Sequence, residues 1–154
     1  MMLSPHFSLE EFTTSETAVR RAIDNTLPPH LFAAAMETCK MMERIRLELE
    51  RLAGREIPIT VTSGYRSPAL NLAIGSGPGS DHPKAAAMDF KAPVFGTPYD
   101  VARALAPLVS QLGIGQLIHE FGSWVHVSTR RSSKDINRII TISSAGTVAG
   151  VQRV

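Results

Sequence analysis

Ser80-Asp81-His82 followed by Asp89, and Trp124-Val125-His126 further on, are the residues of this chain best suited to chemistry. Two imidazoles and one carboxylate are the donor set of a catalytic zinc site, which takes three protein ligands and leaves a fourth position to water or substrate. Asp89 is the most telling of the three. It sits inside Ala85-Ala86-Ala87-Met88-Asp89-Phe90, an apolar run in which an unpaired carboxylate is costly to bury. A metal ion or an arginine would compensate it. The plainer reading makes each histidine a surface or hydrogen-bonded residue and Asp89 a cap or turn residue. The chemistry therefore depends on these side chains meeting.

Several elements must position them. Ser8, with Glu11 three residues later, predicts a capping box and a short helix. Helical character resumes after Ser15 and stops before Pro28-Pro29. Leu31, Ala35, Cys39, Met42, Ile45, Leu49 and Leu52 then recur at steps of three and four, the longest helix, closed by Gly54 as a left-handed cap. Ile57, Ile59 and Val61 alternate with polar or proline residues, which reads as a half-buried strand. A brief helix around residues 69–73 precedes a loop at 75–80, where glycine and proline exclude regular structure.

Residues 86–90 read as a strand, and Thr97-Pro98 opens a helix that closes near Gly113. Further strands are expected at 116–121, 124–129 and 138–143, and the tail at 145–150 reads as a loose terminal segment. Strand alternation puts Ala87 and Asp89 on one face, and Trp124, His126 and Ser128 on one face. Pairing these two strands would bring Asp89 and His126 together. Helices first and strands after predict an α+β fold, a central antiparallel sheet with the N-terminal helices packed on it. No repeat or linker is visible, so residues 1–154 are expected to form a single domain.

Composition narrows the function. A chain of 154 residues with net charge +2 and no clustered Lys and Arg gives no nucleic-acid footprint. No apolar stretch is long enough to span a bilayer, so neither nucleic acid nor membrane is expected as a partner. Cys39 stands alone, which excludes an internal disulfide, and it falls on the apolar stripe of the long helix as a core residue. Met1 to Phe7 lack the basic start and apolar run of a signal peptide. The expectation is synthesis in the cytoplasm, so that action outside it would need something else to release or carry the protein.

The segment Ser80 to Asp89 resembles the S-x-H-x-x-G-x-A-x-D signature of zinc D-alanyl-D-alanine carboxypeptidases and related phage endolysins. Trp124-Val125-His126 is similar to their second signature, W-x-H, and Ser63-Gly64-Tyr65-Arg66-Ser67 to their S-G-Y-R-S segment. His6 to Phe12 resembles the N-terminal lead of the short phage-type members, among them the L-alanyl-D-glutamate endolysin-type peptidases. The resemblance runs from about Phe7 to Ser128.

It implies zinc (Zn2+) on His82, Asp89 and His126, in the small mixed fold shared with the Hedgehog signalling domain. It also implies the stem peptide of peptidoglycan as substrate, cut by a carboxypeptidase or an endopeptidase, and a monomer. The family's catalytic carboxylate often lies three residues before the last histidine, where this chain has Ser123; Glu120 takes the role instead. Arg66 would bind the substrate carboxylate or stabilise the oxyanion, Ser80 would bond near the metal or cap its loop, and Trp124 would wall the substrate. Ala85 stands where the signature has glycine, which strains the backbone if positive φ is needed there. These departures motivate a rival: a non-catalytic virion or wall-binding component that keeps the fold.

Overall fold

In the computed structural model, which describes residues 1–130 and 136–154, the chain begins with a two-stranded ribbon, β1 (Met2–Ser4) and β2 (Phe7–Ser8). Helix α1 (Leu9–Thr13) follows, with Ser8 and Glu11 forming both halves of the expected capping box. Then come α2 (Glu16–Arg20) and the long α3 (Phe32–Ala53), ended by Gly54 at φ 70°. Next are β3 (Thr60–Ser63), α4 (Pro68–Ala73), β4 (Ala87–Lys91), α5 (Pro98–Leu105) and α6 (Val109–Leu112). The chain finishes with β5 (Ile114–Glu120), β6 (Trp124–Thr129), β7 (Arg138–Ser143) and β8 (Gly146–Ala149).

The α+β class is as expected, but the central sheet is mixed. Its order is β3-β4-β6-β5-β7-β8, and β7 runs parallel to β5 while every other pair is antiparallel. The reason is positional. Strand β6 lies between β4 and β5, so both its edges are taken. The end of β6 stands beside the start of β5, where Thr129 faces Ile114. A strand that starts from that end and pairs with the free edge of β5 must run in the same direction.

Smaller expectations change too: the strand read from Ile57 begins only at Thr60, and the second helix ends at Arg20. The helix predicted from Thr97 to Gly113 is interrupted by a 3-10 turn at Ala106–Leu108, because Pro107 has no amide to donate and crowds the preceding turn. Leu52, placed on the buried stripe of α3, is exposed. The tail is not loose: Gly146 to Ala149 pair with β7, although all four residues of β8 are exposed.

The two faces of the sheet differ. Met88, Phe90, Leu117, Val125 and Val127 face the helical layer, where Met41, Met42, Ile45 and Leu49 of α3 and Val101 and Leu105 of α5 complete the core. Each such fully buried side chain contributes about 1.5–3 kcal/mol relative to exposure. Cys39 is buried in the same core, and burial pushes its thiol up to about 12, so it is no nucleophile. The opposite face carries Asp89, His126, Gln116, Ile118 and Glu120, and among the described residues no long helix packs over it. Among the described residues, no helix is long and apolar enough to cross a membrane.

Candidate metal centre

Asp89 and His126 are direct cross-strand partners in the β4–β6 pair. The residues between apolar neighbours on each strand thus point to the open face, side by side. His126 Nδ1 lies 2.8 Å from Asp89 Oδ1. His82 reaches the same place from a 3-10 turn (His82–Lys84) that closes the glycine-rich loop. Its Nδ1 donates to the Gly64 carbonyl at 2.6 Å. Since a carbonyl only accepts, the proton is on Nδ1 and Nε2 carries a lone pair.

That Nε2 is buried without a hydrogen-bond partner and stands 3.4 Å from Asp89 Oδ2, acceptor facing acceptor. A cation between them resolves the arrangement. One ligand atom from each of His82, Asp89 and His126 can be chosen so that all lie within 4.8 Å of one another. All three residues are buried, at 1%, 7% and 6% exposure. Burial depresses the His82 imidazole, favouring the neutral form that ligates metal. Burial alone would raise Asp89, but the two imidazoles outweigh it and hold the carboxyl well below the usual range. Two imidazole nitrogens and one carboxylate oxygen, open on one side, fit zinc.

The supporting shell explains several residue choices. A Cβ at Gly64 would run into the Phe12 carbonyl, so only glycine lets the end of β3 approach α1 and present its own carbonyl to His82. This is the second-shell contact that fixes a metal-binding imidazole. Tyr65 N–H donates to the same Phe12 carbonyl at 2.7 Å. Asn25 holds the next stretch: its side chain donates to the carbonyls of Thr13 and Tyr65 and accepts from the Ser67 amide at 2.7 Å. Arg66 lies between these anchors, its amide donating to the His82 carbonyl.

The Arg66 guanidinium is half-buried beside Asp89 and Glu120, and its Nε has no partner. Glu120 Oε1 stands 3.8 Å from His126 Nδ1. Burial pushes the Glu120 carboxyl up, Asp89 adds to this, and His126 and Arg66 oppose it. Trp124 faces Glu120 across the β5–β6 pair. Ser80 Oγ accepts from the His82 amide at 3.3 Å, which is the loop-capping geometry. All seven residues singled out from the sequence line one cleft of about 760 Å³. His119 does not join them; it lies on the other face and bonds the Gln152 carbonyl at 2.9 Å.

Residues 5–128 match the sequence profile of the family described as Peptidase M15, four-fifths of the chain's length and all of its site residues. The chain belongs to the peptidase M15 family. At that level it is a zinc metallopeptidase with peptidoglycan-type substrates, and its His82, Asp89 and His126 form the expected zinc-binding type of cluster. No curated protein matches it.

This M15 chain departs from the family signature at Ala85, and the backbone there is left-handed, φ 55° and ψ 29°. The residue is fully buried, and its carbonyl accepts from Thr38 Oγ1 of α3 at 2.8 Å. A non-glycine residue in this region costs roughly 1–2 kcal/mol. Sequence reasoning missed Asn25, Gln116, Phe121 and Arg138. The last three line the cleft. Gln116 and Arg138 were hidden because the parallel β5–β7 pairing that sets them side by side leaves no local pattern. Phe121 had a signal, an aromatic just before Gly122 in a tight strand connection.

Proposed function

We propose that the chain hydrolyses an amide bond in peptidoglycan stem peptides, as a D-Ala-D-Ala carboxypeptidase or an endolysin-type endopeptidase. The observation that carries this reading is the convergence of His82, Asp89 and His126, with the Glu120 carboxylate 3.8 Å from His126 Nδ1. His82, Asp89 and His126 would hold zinc, which supplies Lewis-acid polarisation of a carbonyl and lowers the pKa of a water toward about 7. Glu120 accepts a proton from the attacking water and returns it to the leaving amine, a role suited to a carboxyl raised by burial. Arg66, with an unpartnered Nε in a water-poor wall, stabilises the developing oxyanion or holds the substrate carboxylate. Ser80 orders the loop that carries His82, and Trp124 walls the substrate on the Glu120 side.

The reading extends to a monomer encoded by a phage or prophage and released by lysis or packaged in a virion. The resemblance of His6 to Phe12 to short phage-type members supports this. Digesting purified peptidoglycan with zinc-loaded protein tests the activity: released D-alanine marks a carboxypeptidase and new amino termini mark an endopeptidase. Glu120→Gln should retain zinc and lower kcat by about 10²- to 10⁴-fold. The second reading, a non-catalytic virion or wall-binding component, is favoured by Ser123 at the usual catalytic position and by the left-handed Ala85. It predicts zinc binding with no cleavage of any stem type and no effect of Glu120→Gln.

A further inference from the structure

The β5–β6 connection holds an unusual residue next to Glu120. Ser123 N–H donates to the Glu120 carbonyl at 2.9 Å, closing a turn whose two central residues, Phe121 and Gly122, have φ 54° and φ 64°. The first central position of such a turn favours asparagine, aspartate or glycine. A bulky side chain at positive φ is an outlier. The strain has no packing return in the core, because Phe121 is 49% exposed. The backbone is nonetheless pinned: the Phe121 amide donates to the Ile142 carbonyl at 2.7 Å, and its carbonyl accepts from Ser123 Oγ. Its ring packs at 5.7 Å, tilted 53°, against Trp124, and both residues line the cleft of the metal centre.

Backbone strain that the surroundings hold in place collects at ligand clamps and active sites. We infer that Phe121 is a specificity-determining residue: with Trp124 it forms an apolar wall for the side chain of a substrate residue near the scissile bond. This inference rests on the peptidase reading. The register supplies the position. Ile118 pairs with His126, and so lies in the row of the metal cluster; Phe121 is three residues further along the chain. From Ile118 to Glu120, where β5 ends, is about 7 Å at about 3.4 Å per residue, and Phe121 opens the turn just past it, within reach of about two residues of extended peptide. In a stem peptide the apolar side chain available at that range is an alanine methyl.

Phe121→Asn is the informative variant, because asparagine suits positive φ. Removing a ring with a structural role would lower stability. Removing a strained ring that serves the substrate would leave stability unchanged or raise it while weakening substrate binding. Trp124 is the chain's one tryptophan, so its emission reports occupancy of the wall without need of turnover.

The experiment titrates zinc-loaded wild type and Phe121→Asn with a synthetic stem peptide free of glycan, and with the same peptide carrying glycine for alanine. Wild type should bind the alanine peptide tighter than the glycine peptide by roughly four- to ten-fold. The variant should lose that discrimination, show a correspondingly raised KM at unchanged kcat, and keep or exceed the wild-type urea midpoint. Equal discrimination by both proteins, a lowered urea midpoint, or a wild-type emission unmoved by either peptide would overturn the inference. So would a penalty confined to glycan-linked substrate. Failure of the peptidase reading looks different: wild type then distinguishes the two peptides by Trp124 emission and cleaves neither.

Discussion

His119 and Glu120 are neighbours on β5, yet they belong to different parts of the molecule. Glu120 faces the open cleft with His126, Asp89 and His82. His119 faces the helical side, where its ring meets Tyr99 edge-on at 5.8 Å and its Nδ1 bonds the Gln152 carbonyl. Both regions contain a buried imidazole nitrogen without a hydrogen-bond partner, His82 Nε2 on one side and His119 Nε2 on the other. Only the first has a carboxylate and a second imidazole converging on it; among the described residues, this is the one group with metal-ligand geometry. An orphaned polar atom is therefore a weak sign of a site. Convergence is the strong one.

The difference can be broken most sharply by matched substitutions. His126→Ala should abolish stoichiometric zinc and reduce stem-peptide hydrolysis by at least about 10³-fold, the scale of losing a metal-activated nucleophile. His119→Ala should retain zinc and hydrolysis while lowering the urea midpoint. Metal analysis beside a turnover assay checks both, and zinc loss in the His119 variant would erase the distinction.

Thr141→Val sharpens the helical side. Thr141 Oγ1 donates to the Gly150 carbonyl at 2.8 Å and accepts from the Gln152 amide at 2.9 Å, tying the tail under β7. Losing both bonds while two backbone groups stay unpartnered should cost about 1–3 kcal/mol by urea denaturation, with zinc content unchanged.

Ala85→Gly acts at the join between helical layer and site. Relief of the left-handed backbone, roughly 1–2 kcal/mol, exceeds the loss of one buried methyl, about 0.8 kcal/mol. A net stabilisation of about 0.2–1.2 kcal/mol is expected, again with zinc retained. A clear destabilisation would make the Ala85 methyl a packing element instead.

The smallest effect is at the N-terminal ribbon, where Glu43 of α3 meets Ser4 and His6. Burial would raise the Glu43 carboxyl, but Ser4 Oγ, the His6 amide and the His6 ring outweigh it and hold it below the usual glutamate value. A depressed carboxyl contributes stability that is present above its unfolded pKa, about 4.3, and is lost as pH falls through the folded value. Glu43→Gln should therefore lower the urea midpoint at pH 7, and the gap to wild type should close below about pH 4.

What could be read from residues alone follows from the range of the interactions. The long helix, the capping box at Ser8, the helix start at Thr97 and the alternation around Asp89 and His126 are local patterns, and they hold. Asp89 was legible because an acid inside Ala86-Ala87-Met88-Asp89-Phe90 conflicts with burial unless a metal or an arginine compensates it; the full ligand set followed from the family resemblance. The parallel β7 was not, because its direction depends on which edge of β5 is free. Strand β8 was not, because exposed small residues joined by backbone bonds leave no hydropathy trace. Asn25 bridges 13, 65 and 67 through backbone groups, which no residue type advertises.

The central claim is that one zinc ion is held by His82 Nε2, an Asp89 oxygen and a ring nitrogen of His126. Anomalous diffraction at the zinc edge from crystals of zinc-loaded protein tests it most directly. The account predicts a single strong peak about 2.0–2.2 Å from each of those three atoms. A peak on other residues, or no peak at this cluster, would contradict it.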